Sequence, residues 1–258
     1  FILCSLLVLS IATTAIADKK EDYVYYSIGF QTYYHEYNEP GIMKNEGYFY
    51  GLSYSAMYEK DMLAGVEGLL SFGSVDYKST STGETDNISD WCSDIRGILG
   101  YVIPNEGKIK IIPFVGLAYR FLQDDSENKL TSTNNIGYLR QANYIYSPIG
   151  IRMTIGLNNG WSLQPAVEYD YFWFGKQESF LGYLAGYEDI ENDQKDGYGY
   201  RASLALKKIM PTYDFSCELF YRYWDIESSE VTTDSWGRSW IEPKNDTTEF
   251  GINISMFF

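Results

Sequence analysis

The sequence predicts an all-β fold: a single antiparallel barrel crossing a membrane on about ten strands, within a range of roughly eight to twelve. Three observations predict it. Apolar residues recur at every second position over long runs, the period of an extended strand with one oily face. No 3.6-residue apolar period persists anywhere after the first stretch. The connections alternate short and long along the chain, placing short turns at one rim and long loops at the other.

Residues 1–17 carry no charge and end in Ala15-Ile16-Ala17, a small-x-small cleavage pattern, before polar Asp18-Lys19-Lys20. They read as a secretory signal peptide truncated at its front, with the barrel spanning residues 18–258. A transmembrane anchor is the competing reading, at the short limit for spanning.

The first run, residues 23–37, sets Val24, Tyr26, Ile28, Phe30 and Tyr34 against Ser27, Gly29, Gln31 and His35, and Glu39-Pro40-Gly41 opens a loop. The second, 47–58, sets Tyr48, Tyr50, Leu52 and Tyr54 against Gly51, Ser53 and Ser55, with a tight return. In the third, 63–77, Val66, Leu70 and Phe72 oppose Glu67 and Ser71, and a polar loop is expected over 79–90. The fourth points Trp91, Ile95 and Leu99 outward and Asp94 and Arg96 inward, turning at Pro104-Asn105-Glu106-Gly107. The fifth, 108–122, opposes Val115, Leu117 and Tyr119 to Gly116 and Arg120, before a loop over 123–141.

The sixth opposes Ile145, Ile149 and Ile151 to Gly150 and Arg152, and Asn158-Asn159-Gly160 makes a hairpin because Asn and Gly accept positive φ. The seventh opposes Trp161, Val167, Tyr169 and Trp173 to Gln164, Glu168 and Asp170, before an acidic loop over 176–196. The eighth opposes Tyr200 and Leu204 to Arg201, Ser203 and Lys207, and Pro211-Thr212 turns it. The ninth, 213–226, opposes Phe215, Leu219 and Tyr221 to Ser216, Glu218 and Arg222, before a last loop over 228–245.

The closing run alternates Phe250, Ile252, Ile254, Met256 and Phe258 with Glu249, Gly251, Asn253 and Ser255 and ends on an aromatic carboxylate. It resembles the closing strand of Gram-negative outer-membrane β-barrels, the porin and OmpA-like superfamily, whose assembly machinery reads such a strand. The resemblance implies secretion through a cleaved signal peptide and residence in the outer membrane. It implies contact with membrane lipid, lipopolysaccharide and the barrel-assembly machinery. It also implies periplasmic termini and short turns, with the long loops extracellular.

Polarity agrees with a barrel in lipid. Lipid cannot hydrogen-bond exposed backbone, so the sheet must close. The inward set holds Glu67, Arg96, Arg120, Arg152, Glu168, Arg201, Glu218, Arg222 and Glu249, while Tyr48, Trp91, Trp161, Tyr171 and Trp173 suit interfacial girdles. A soluble lipocalin-like barrel is the alternative and needs the reverse polarity.

A net charge of −15 and a pI near 4.4, with no basic block, exclude a nucleic-acid partner. Beyond residue 17 only Cys92 and Cys217 remain; the strand scheme puts them on opposite faces near opposite ends, as free thiols rather than a disulfide. The inward charges read either as an ion-pair network filling a narrow lumen or as a selective constriction. Acidic loop residues such as Asp124, Asp125, Glu188 and Asp193 lack calcium-loop spacing and read as solvated surface.

His35 is the sole histidine. Barrel hydrolases include the ten-stranded omptins, whose histidine lies late in the chain, so that resemblance fails at its catalytic position. Ser53 or Ser55 with His35 is the remaining nucleophile pair. No catalytic, metal-binding or cofactor-binding residue is assigned. The expected role is a non-enzymatic surface-interaction protein presenting long acidic loops to an unknown ligand. The alternative is a small porin for ions or small solutes, given room by inward Gly29, Gly51, Gly100, Gly116 and Gly150; a hydrolase using His35 is the weakest reading.

Overall fold

The structure, a computed structural model, describes residues 23–104 and 107–258. The predicted signal peptide lies outside the described residues. Ten strands form the barrel: β1 (Val24–Glu39), β2 (Met43–Glu59), β3 (Met62–Ser79), β4 (Gly83–Tyr101), β5 (Ile109–Asp125), β6 (Leu139–Gly156), β7 (Trp161–Phe180), β9 (Gly197–Lys208), β10 (Asp214–Ile226) and β13 (Asn245–Phe257). Each pairs antiparallel with its neighbours, β1 pairs with β13, and the sheet closes without an edge. A short strand β8 (Ile190–Gln194) pairs with the far end of β7, and β11 (Thr232–Thr233) and β12 (Ser239–Trp240) form a separate ribbon. Phe258 continues the closing ladder by exchanging backbone hydrogen bonds with Tyr26.

The alternation seen in the sequence is the lipid face. Ile28, Leu52, Leu70, Leu99, Leu117, Ile149, Val167, Leu204, Leu219 and Ile254 are all exposed, as lipid-facing side chains must be. The band has a sharp upper limit. On β2 the outward side chain changes from exposed Tyr48 to Glu46 in one step of the pleat, and Glu46 joins Lys44 and Lys78 in ion pairs of 2.8 and 3.0 Å. Among the described residues no helix is long and apolar enough to cross a membrane; the strands do so.

A membrane strand needs about 9–11 residues, yet β7 has 20 and β4 has 19. The excess lies at the rim away from the termini. Residues 79–90, expected as a loop, are mostly ladder: β3 runs to Ser79 and β4 begins at Gly83. A bulge opposite Asp76, with Asn87 at φ 58°, carries the pairing past the polar stretch. The expected loops over 123–141 and 176–196 shrink for the same reason. Beyond the apolar band the outward face meets water and the inward face packs polar side chains such as Glu39, Asn45 and Gln177, so the period-2 apolar signal disappears while the hydrogen bonding continues. Cys92 is buried on the inward face, Cys217 is half-buried, and both are free.

Candidate functional site

The lumen is the site, and strand register builds most of it. Glu67 and Arg96 face each other on β3 and β4, Glu168 and Arg201 on β7 and β9, and Arg222 and Glu249 on β10 and β13. Directly opposed side chains on one face of a sheet lie close enough to interact. Arg96 donates from Nη2 to Glu67 Oε2 at 2.6 Å and from Nη1 across the lumen to Glu168 Oε1 at 2.7 Å. Arg152 adds a second guanidinium to Glu67 at 2.8 Å.

Higher up, Arg201 donates from Nε to Asp170 Oδ2 and from Nη2 to Asp94 Oδ2, both at 2.8 Å, and the Tyr146 hydroxyl donates to Asp94 Oδ1, also at 2.8 Å. Glu249 collects three donors. Arg120 reaches it from the opposite wall at 2.6 Å, Arg222 from β10 at 3.1 Å, and His35 from β1 through Nδ1 at 3.1 Å. A carboxylate only accepts, so His35 carries its proton on Nδ1 in this contact.

Five arginines thus meet five carboxylates in one chain of contacts from Arg152 up to Glu249, its two halves joined by Arg120 Nη1 lying 3.9 Å from Asp94 Oδ2. All five predicted arginines join it, with Glu67, Glu168 and Glu249. Glu218 does not: it faces a lower cavity and accepts from Asn253 at 3.4 Å. Asp94 and Asp170 take the remaining places. Both were legible as inward residues, one alternation from Arg96 and Glu168. Register places Arg120 directly opposite Asp94 and Arg201 one pleat step diagonally from Asp170, whereas the contact of Asp94 with Arg201 crosses the lumen and leaves no trace in strand register.

Above and around this chain the lumen is packed. Trp224, Tyr146, Tyr33 and Phe49 are each at most 2% exposed, and Arg120 is 1% exposed. Tyr33 stacks on Phe49 at 5.4 Å between centroids, and Tyr146 meets Trp224 edge-on at 4.9 Å. The inward glycines do not widen the bore. A Cβ on Gly150 would sit 2.6 Å from the Phe114 ring, and one on Gly51 would sit 2.6 Å from Ser71. Neighbouring side chains fill the room the glycines leave.

Below this packed midsection, towards the termini, lies an open cavity of about 510 Å³ lined by Ser27, Ser55, Lys110, Lys207, Glu218 and Asn253 among others. Above it, at the far mouth, lies a cavity of about 40 Å³ between His35 and Arg140. The pair proposed from sequence for nucleophilic chemistry is not assembled. Ser53 faces Gly29 whereas His35 faces Gly47, six positions along β2, or about 20 Å at 3.3 Å per residue. Ser53 donates to Asn253, Ser55 shares a hydrogen bond with Ser27, and His35 is held by Glu249.

A family model for the outer membrane protein beta-barrel domain matches residues 1–201. The chain belongs to this family. Among solved structures, outer membrane protease OmpT from Escherichia coli superposes on this outer-membrane barrel with a TM-score of 0.65 at 10% identity, covering 95% of this chain and 99% of that one. The Pseudomonas putida toluene transporter TodX aligns at a TM-score of 0.37 and 10% identity, covering 92% and 90%. Ail, the attachment invasion locus protein of Yersinia pestis, aligns at 0.32 and 11%, covering 91% and 98%. No curated protein matches the sequence. At these identities the likeness to OmpT concerns the fold alone: a closed antiparallel barrel of the same extent.

Proposed function

We propose that this outer-membrane barrel is a sealed anchor whose work is done by the acidic crown of strand ends and loops at its far rim, as a surface-interaction protein. The packed midsection of the lumen carries this reading. Arg120, Glu249, Tyr146 and Trp224 together occupy the bore with almost no accessible surface. A porin needs a continuous aqueous path, and ion pairs between opposite walls cross the one available here. The crown, by contrast, is rigid enough to present a fixed surface, because its hairpins are hydrogen-bonded ladder well beyond the bilayer. In the family's orientation this crown faces outward, and the cavity of about 510 Å³ opens to the periplasm.

Planar-bilayer recording of the refolded chain tests the reading, with folding verified by its heat-dependent gel mobility. The expected trace is silent. Reproducible unitary steps would make the lumen a pore and overturn the sealed-anchor assignment.

A further inference from the structure

The strongest chemistry outside the ion-pair chain lies at the far mouth. Asp90 on β4 and Asp124 on β5 are direct register partners on the inward face. Like charges placed opposite each other destabilise a sheet unless something of opposite charge lies between them. Arg140, from β6, supplies part of it by donating to Asp124 Oδ2 at 3.3 Å. Asn45 donates from Nδ2 to the same oxygen at 2.7 Å. Arg140 is also shared with Glu39 at 2.9 Å, and Glu242 lies 3.9 Å away. One guanidinium therefore serves several carboxylates.

Three oxygens remain. Asp90 Oδ1, Asp124 Oδ1 and Asn45 Oδ1 are buried and have no hydrogen-bond partner among the described residues. All three side chains line the cavity of about 40 Å³. Asn45 is 2% exposed, and its orientation follows from its neighbour. Its amide nitrogen must face the accepting Asp124 Oδ2, which fixes the flip of the carboxamide and leaves Oδ1 as its unpaired acceptor. The cavity exceeds the ~10–15 Å³ that one water needs, so it can hold a small ion with a water or two. A water donates only two hydrogens and cannot satisfy three acceptors by itself.

The geometry points to a hard divalent cation of the calcium class bound between Asp90, Asp124 and the Asn45 carboxamide at the far mouth of the barrel. Oxygen-only ligands of mixed carboxylate and amide type suit such an ion, with water completing its shell. Among the described residues no three His, Cys, Asp or Glu side chains are placed to hold a metal, and the third ligand here is an amide oxygen. The site is independent of the sealed-anchor reading, because it lies above the seal and requires neither conduction nor a surface partner.

Terbium luminescence of the full refolded chain in non-ionic detergent tests it. Tyr37 and Tyr144 line the same cavity and serve as sensitisers. The expected result is one saturable site per chain, displaced by Ca²⁺ with an affinity in the ~0.1–1 mM class of extracellular sites. Asp90→Asn and Asp124→Asn should each weaken it at least tenfold, and Asn45→Ala should also weaken it. Glu218→Gln, in the opposite cavity, should leave it unchanged. The two Asn variants relieve the facing charges and keep the fold, which gel mobility verifies. Absence of a saturable signal would show that a proton shared by the two carboxylates suffices. A signal that persists in the Asp90→Asn/Asp124→Asn double variant would belong to the acidic loops. Either result overturns the site.

Discussion

Glu249 is the residue on which the packed midsection of the lumen depends. It is fully buried, and three donors from three strands converge on its two oxygens. A buried ion pair contributes little over a well-packed apolar substitute, but removing one partner strands the other in a medium that cannot solvate it. Glu249→Ala leaves Arg120 and Arg222 facing each other without their shared carboxylate. The expected loss is about 3–5 kcal/mol of unfolding free energy, measured by urea titration of the refolded barrel. Glu249→Gln retains acceptor capacity through its carbonyl and should lose less. An unchanged midpoint for the alanine variant would mean that the aromatic layer alone holds the midsection.

At the scale of elements, legibility in the sequence follows solvent. Every barrel strand was readable where one face meets lipid and the other the lumen; β13 is the clearest, its outward Phe250 and Ile254 exposed, as is Phe258 just beyond it. The overhanging ends of β3 and β4 were not readable, because their outward face meets water rather than lipid and carries polar side chains, although Val75 and Ile88 still point into the packed interior. The ribbon of β11 and β12 was not readable either, being two residues per strand and organised by one side chain. Asp234 accepts from the Trp240 indole at 3.0 Å, the Arg238 backbone at 2.8 Å and the Arg238 guanidinium. Burial pushes its carboxyl upward, but these donors outweigh it and hold the pKa down to about 2, against roughly 3.9 for a free Asp. A depressed folded value means stability that is complete above the unfolded pKa and lost as pH falls through the folded one. The ribbon should therefore stay ordered from neutral pH to about 4 and loosen between about 4 and 2. Trp240 indole resonances followed through an acid titration should show this, and Asp234→Ala should lose the ordered state at neutral pH. A transition near pH 6 in the parent chain would assign the ribbon's order to some other group.

For the whole molecule, the decisive feature is asymmetry along the barrel axis. The end nearer the termini holds an open cavity of about 510 Å³ lined largely by polar residues, the middle is packed with ion pairs and rings, and the far strand ends extend past the apolar band as ladder. A solute entering from the terminal side meets hydroxyls and charges and then the wall of contacts between Arg96, Arg201 and Arg120. Native Cys92 reports on that wall, since it points inward from β4 beyond the cavity and is 1% exposed. In a Cys4→Ser/Cys217→Ser background it should resist a small membrane-impermeant maleimide supplied from the terminal side until the barrel is unfolded. Ser55→Cys, which lines the open cavity, should react readily in a chain freed of its three native cysteines. Thiol reactivity needs an accessible thiolate, so the two rates measure how far water and reagent penetrate from the terminal side. Because Cys92 also lines the small cavity at the far mouth, the reagent is confined to the terminal side of vesicles holding the barrel. Comparable rates at both positions would then mean a continuous aqueous bore in which the inward arginines select what passes.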